Sequence, residues 1–249
     1  MDRKYWEKIA PDYNEEIFDV LHNDKKSVIR SVIKSVAAPS KTVIDIGCAV
    51  GKWLPVLAPA FKKVTAVDIS YKNLVIAQKN YPEFTNIDYL RADMSSARTR
   101  LPKSDVAICI NAILTDSLKK RIVFFKHLSR CLKENGDLIL VVPSLESWML
   151  TRIIQKRWKI DHAIFNEKIT GKSAQKKYNH LQQGNADIDN VPTKHYLREE
   201  LQLLLQLEGF QTEAIKKIEY SWKTEFIKSP KWLKEPKPWD WLIHAKRSY

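Results

Sequence analysis

Three acidic residues stand where a strand would end and a loop begin: Asp45 in VIDIGCAVG, Asp68 in AVDIS and Asp93 in RADM. The first belongs to Asp45-Ile46-Gly47-Cys48-Ala49-Val50-Gly51, a D-x-G-x-x-x-G run. Glycines there permit a tight strand-to-helix turn and let a ligand approach the backbone. In open α/β sheets, ligands sit at the carboxyl ends of the strands. A dinucleotide fingerprint needs G-x-G-x-x-G. Counted from Gly47, its second and third glycine positions hold Ala49 and Lys52, so a nicotinamide oxidoreductase is disfavoured. An acid just before the loop also suits a pyrophosphate poorly. Asp68, at the end of a second strand, is placed to accept both ribose hydroxyls of a nucleoside. Asp93 is placed to accept from an exocyclic adenine amine while Met94 covers the ring. Three such acids suit a cationic nucleoside without phosphates.

The elements that would hold these residues are legible as periodicities. KTVIDIG (41–47) is a β-branched run ended by glycine, as expected of a strand buried on both faces. KKVTAVDI (62–69), NIDYLRAD (86–93), 104–110 and DLILVV (137–142) read as four more strands. Between them, 51–60, 71–81 and 116–133 read as helices, the last with Asn135-Gly136 as its C-cap. Val28, Ile29, Val32, Ile33 and Val36 mark an earlier helix over 25–38. LREELQLLLQLE (197–208) predicts a late helix, and 212–222 and 239–247 two late strands. Strand–helix alternation implies parallel strands joined by crossovers. The expected architecture is therefore α/β: a doubly wound, mostly parallel, seven-stranded sheet in a single domain over 1–249. An N-terminal helical cap (1–38) and an inserted basic lid (144–193) complete it.

Composition bounds the rest. The chain has 249 residues, 44% hydrophobic and 29% charged, which excludes a disordered or fibrous protein. Its formal net charge is +13. Residues 151–180 carry eight basic against two acidic residues, and 216–249 nine against four, so most of the surplus lies in the last hundred residues. A solvated surface accounts for this, as does a docking face for something anionic such as RNA, an acidic metabolite or a lipid headgroup. Trp148, Trp158 and Phe165 interleave with Arg152, Lys156, Arg157 and Lys159. That pattern fits stacked bases, a membrane surface, or a lid helix packing its own tryptophans. Cys48, Cys109 and Cys131 are odd in number and widely spaced, as expected of reduced thiols in a cytoplasmic protein. No stretch approaches a bilayer-spanning length, so integral membrane association is not expected, and no secretory signal is evident. No metal-ligand spacing occurs.

VIDIGCAVGKW, AVDIS, RADM and DVAICINAIL together resemble the class I S-adenosylmethionine-dependent methyltransferases. HLSRCLKENGDLILVVPS (127–144) looks like that family's helix and fifth strand. WEKIAPDYNE (6–15) resembles the N-terminal cap of its small-molecule members, and KHYLREELQLLLQLEGF (194–210) their last helix. The resemblance implies S-adenosyl-L-methionine as cofactor. It implies that Gly47, Cys48, Ala49 and Gly51 meet the methionine moiety through their backbone, with Asp45 near its ammonium. Asp68 would hold the ribose, with Ile69 against the adenine, and Asp93 and Met94 would bind the adenine edge. Asn111 would lie beneath the methionine part and the transferred methyl, and Tyr13 would reach the cofactor carboxylate. The fourth strand lacks an Asn-Pro-Pro-Tyr segment, which argues against exocyclic-amine methylases of adenine.

Methyl transfer from a sulfonium is an in-line displacement that rests mainly on alignment. A base helps only when the acceptor carries a proton. His195, opening the last helix, is the preferred candidate, against a capping or exposed histidine. His127 and His244 read as structural, and His162 and His180 as neighbours of an anionic acceptor. The expected function is methyl transfer to a small-molecule acceptor, with the basic surplus suiting an anionic one. The alternatives are RNA methylation and non-catalytic cofactor binding.

Overall fold

The chain is represented by a computed structural model that describes residues 2–161, 170–188 and 191–248. The N-terminal segment is a series of short helices, α1 (Arg3–Ile9), α2 (Tyr13–Glu16), α3 (Val20–Asn23) and α4 (Val28–Val36). Asp24 starts α4 by accepting from the Val28 and Ile29 amides at 2.9 and 2.8 Å. Ile29, Val32, Ile33 and Val36 are then buried along one face, as their spacing predicts.

The sheet follows: β1 (Thr42–Ile46), a short α5 (Leu54–Leu57), β2 (Lys63–Asp68), α6 (Tyr71–Asn80), β3 (Ile87–Arg91), β4 (Ser104–Ile110), α7 (Leu118–Arg130) and β5 (Leu132–Pro143). Then come α8 (Leu145–Trp158), α9 (Gly171–Leu181), β6 (Asn185–Ile188), β7 (Val191–Lys194), α10 (Arg198–Leu207), β8 (Phe210–Glu219) and β9 (Trp239–Arg247). Seven strands form one sheet in the order β3-β2-β1-β4-β5-β9-β8, with β6 and β7 in a separate antiparallel ribbon. β1 to β5 pair in parallel, and β9 runs antiparallel to both β5 and β8. The expected mixed seven-stranded sheet is the one observed.

Both faces of the sheet are covered, which explains the unbroken apolar strands. Val43, Val64, Ile108 and Ile139 pack on one side with Ile29 and Ile33 of α4. Ile44, Ile46, Cys109 and Leu140 pack on the other with Phe125 and Leu128 of α7 and Leu201 and Leu205 of α10. Each fully buried aliphatic side chain contributes about 1.5–3 kcal/mol. Cys48, Cys109 and Cys131 are all buried free thiols.

Two local expectations need correction. The helix expected over 116–133 stops at Arg130, so Asn135-Gly136 is not its C-cap. β5 begins at Leu132 and its register jumps: Ser104 pairs with Leu132, but Val106 pairs with Asp137. Asn135 takes a left-handed φ of 58° in that bulge, and a Cβ on Gly136 would lie 2.9 Å from the Lys133 carbonyl oxygen. The helix expected over 51–60 shrinks to Leu54–Leu57. The β6–β7 ribbon has no strong sequence signal. It is anchored by Lys194, whose buried ammonium bonds Glu200 at 2.6 and 2.8 Å and the Gln183 carbonyl at 3.0 Å. Among the described residues, no helix is long and apolar enough to cross a membrane.

Candidate functional site

A cleft opens at the carboxyl ends of β1, β2 and β4, lined in part by Gly47, Ala49, Asp68, Asp93, Met94 and Asn111. Its floor is the loop after β1. Gly47 sits at φ 75°, and a Cβ there would fall 2.3 Å from the Ala112 Cβ. Glycine is thus required by backbone conformation and by close approach together. The Gly47 and Cys48 amides both donate to the Val67 carbonyl, at 2.8 and 3.0 Å. Ala49 adopts φ 49°, a left-handed conformation that costs an alanine about 1–2 kcal/mol. Its amide donates to Asp68 Oδ2 at 3.0 Å, so the strained turn is held by the carboxylate it helps to orient.

Asp68 is buried, and loss of hydration pushes its carboxyl above the usual range. Its Oδ1 accepts from the Ser70 amide at 2.8 Å and from Asn73 Nδ2 at 3.3 Å. Oδ2, which accepts from the Ala49 amide, therefore keeps a lone pair. Asp93 Oδ1 accepts from the Ser95 amide and hydroxyl, at 2.8 and 2.6 Å. Ile69 and Met94 supply apolar wall.

The other predicted residues fall in two groups. Tyr13 and Asn111 line the cleft. Tyr13 comes from the cap, as does Trp6, and burial keeps its hydroxyl protonated as a donor. Glu7 fixes the cap by accepting from the Tyr71 and Lys72 amides at the start of α6. Asp45, Cys48 and Gly51 lie behind the lining. Asp45 is 2% exposed and its Oδ2 has no hydrogen-bond partner. Burial, with Asp68 nearby, pushes it up to about 7. Cys48 is buried and its thiol is pushed up by the same loss of hydration. A Cβ on Gly51 would lie 2.7 Å from Leu54 Cδ1.

His195 is also outside the lining. It is buried, donates from Nδ1 to the Thr193 carbonyl at 3.0 Å, and packs against Trp148 with ring centroids 6.2 Å apart. Burial lowers its imidazole to about 4, so it is neutral at pH 7 with Nε2 as its basic atom. It nevertheless adjoins the rim: Thr193 pairs with Thr115, and the Lys194 amide donates to the Leu114 carbonyl. Thr115 and Leu114 line the cleft. The described residues of 144–193 do not line it, whereas Trp6 and Tyr13 of the cap do. His162 and Phe165 lie outside the described residues. The basic–aromatic face divides: Arg152 covers Trp148, while Arg157 covers Trp158, which packs on Trp232.

Sequence reasoning missed Trp6, Asn73, Thr115 and Phe124 as wall residues. It also missed Asp240, which bonds Asn111, and Tyr220, which bonds Asp240. Asn111 Nδ2 and the Tyr220 hydroxyl both donate to Asp240 Oδ2, at 3.0 and 2.9 Å. Asp240 is buried and pushed up to about 6 by loss of hydration. Asn111 Oδ1 is buried without a partner.

The unsatisfied atoms bordering this site, Asp45 Oδ2, Asn73 Oδ1 and Asn111 Oδ1, are all acceptors. Asp68 Oδ2 and Asp93 Oδ2 add acceptor capacity. A buried acceptor left alone costs about 1–3 kcal/mol. The site therefore fits a ligand that brings donors and positive charge. Among the described residues no group of His, Cys, Asp and Glu is arranged to hold a metal ion.

A family model described as a methyltransferase domain matches residues 43–136. A probable S-adenosylmethionine-dependent methyltransferase of Saccharomyces cerevisiae is 32% identical over 117 residues, which is 44% of this chain and 38% of that protein. The N-methyltransferase NodS of Bradyrhizobium japonicum, in complex with S-adenosyl-L-homocysteine, has the same fold. It is 10% identical with a TM-score of 0.64, over 99% of this chain and 98% of its own. The magnesium protoporphyrin IX methyltransferase of Synechocystis, with bound S-adenosyl-L-homocysteine, is 18% identical with a TM-score of 0.58, over 99% and 98%.

Proposed function

We infer that this chain, a class I S-adenosylmethionine-dependent methyltransferase by its fold and its matched domain, transfers a methyl group to a small-molecule acceptor. The observation that carries the reading is the cleft at the strand tips, which Asp68 and Asp93 line together with the apolar Ile69 and Met94. Bound S-adenosylmethionine supplies an electrophilic methyl on a sulfonium whose neutral thioether leaves with the S–C bonding electrons.

The chain's own residues bind, orient and exclude water. Asp68 accepts from the ribose through Oδ2, and Ile69 packs against the adenine. Asp93 accepts at the adenine edge, with Met94 beside it. Gly47, Cys48, Ala49 and Gly51 shape the turn that admits the methionine moiety. Tyr13 donates to its carboxylate, and Asp45 lowers the energy of its ammonium from behind the loop. Trp6 and Tyr13 form the wall that keeps water from the reacting atoms. In-line alignment of this kind is worth about 7–11 kcal/mol.

His195 is the proposed proton acceptor for an acceptor that bears a proton. It is neutral at pH 7, its Nδ1–H is tied to Thr193, and its segment adjoins the Thr115 rim. The small-molecule reading is supported by the cap wall and by the solved neighbour named for a porphyrin acceptor. The three buried free cysteines support a reducing compartment such as the cytoplasm. The test is a methyl-release screen of the purified chain with S-adenosylmethionine against small-molecule pools and against transfer and ribosomal RNA. Turnover on a small molecule is expected. Turnover confined to RNA, or none with any acceptor, would overturn the reading.

A further inference from the structure

We infer that Asp240 and Tyr220 are positioning residues for the methyl donor: they fix the Asn111 amide so that its carbonyl oxygen accepts a hydrogen bond from the donor's ammonium. This rests on the cofactor reading above. Both residues lie outside the matched domain, on the antiparallel end of the sheet, Asp240 in β9 and Tyr220 just after β8.

The argument begins with donor and acceptor roles. Asn111 follows β4 directly and holds φ 48°, a left-handed conformation that asparagine tolerates well. Its backbone is pinned by donation to the Val141 carbonyl at 2.9 Å. Its side chain meets a carboxylate that already accepts from Tyr220. An ionised carboxylate has no proton to give, so only the amide NH2 can face it. The other end of the amide, Oδ1, is thereby turned away from Asp240, and it is the end that is buried with no partner. Phe18 packs edge-on against Tyr220 at 4.9 Å and shields the pair.

The location selects the donor group. Ala112, next in sequence, packs on Gly47, so Asn111 stands beside the glycine loop. On the cofactor reading, Asp68 and Asp93, which also line the cleft, take the nucleoside. The amino-acid end of the ligand is what lies by the loop, and its ammonium offers the N–H that Asn111 Oδ1 lacks.

The probes are S-adenosylhomocysteine, which has the ammonium, and 5′-methylthioadenosine, which lacks the whole amino-acid end. Titration calorimetry on wild type, Asp240→Ala, Asp240→Asn and Tyr220→Phe separates the roles. Asp240→Ala is expected to weaken S-adenosylhomocysteine about ten- to a hundredfold, the worth of one hydrogen bond to a charged group. It should leave 5′-methylthioadenosine within about twofold, which also reports that the variant is folded. Asp240→Asn keeps an acceptor oxygen and should restore most of the affinity, and Tyr220→Phe should show a smaller loss of the same selectivity. Equal loss for both probes, or no loss for either, overturns the inference while the cofactor reading stands. Failure of the wild type to bind either probe overturns both.

Discussion

Gly47 and Ala112 touch in a way that allows no side chain at position 47: a Cβ there would lie 2.3 Å from the Ala112 Cβ, with the glycine at φ 75°. The two residues follow adjacent parallel strands, and their contact sets the distance between the glycine loop and the segment carrying Asn111. Gly47→Ala must either push the loop from the fourth-strand segment or unfold it. The expected result is a loss of about 2–4 kcal/mol in stability, from overpacking and from an alanine at positive φ. Chemical denaturation checks the stability. Cofactor affinity should fall with it. Ala112→Gly in the Gly47→Ala background removes the clash and should recover part of both.

Asp45 gives a pH signature. Burial raises its folded pKa to about 7, above the ordinary carboxylate value. A raised acid stabilises the fold fully below its unfolded pKa, near 4, and that contribution is lost as pH rises toward 7. Asp45→Asn removes the titration while mimicking the protonated form. The variant should match wild type in melting temperature near pH 4 and exceed it at pH 8. The gain at pH 8 is expected to be on the order of 2–4 kcal/mol, or several degrees. A difference that does not change with pH would show that Asp45 does not titrate there.

The fold was largely legible because buried parallel strands leave continuous apolar runs, as at Val43–Ile46. The acids at strand tips were legible for the same reason, since the strand ends locate them. What escaped depends on contacts distant in sequence. Asp240 in WDWLIHAKR carries no local sign of burial; it is buried because β9 sets it against Tyr220 and Asn111. The β6–β7 ribbon includes Pro192 and alternates weakly, and a buried Lys194–Glu200 pair holds it rather than apolar periodicity. Asn135-Gly136 misled because the same pair serves a bulge as readily as a helix end.

The role of His195 separates kinetically from binding. Its imidazole does not line the cleft, so His195→Gln should leave cofactor affinity within about twofold. With an acceptor that must lose a proton, single-turnover methyl transfer should fall about a hundredfold or more, the usual worth of a general base. Unchanged transfer would make His195 a support of the Thr193–Thr115 contact alone.

The strain at Ala49 is recoverable. Ala49→Gly relieves an alanine held at φ 49° and keeps its amide on Asp68 Oδ2. Thermal unfolding should show a gain of about 1 kcal/mol, partly offset by glycine's greater freedom when unfolded. A lower melting temperature would mean that the methyl group packs more favourably than its backbone is strained.

The most direct measurement is calorimetric titration of S-adenosylmethionine into wild type and Asp68→Ala. The account requires saturable one-site binding to wild type, weakened by about 1–3 kcal/mol when the carboxylate that accepts from the ribose is removed. Binding that is absent from wild type, or equally tight in the folded variant, would contradict it.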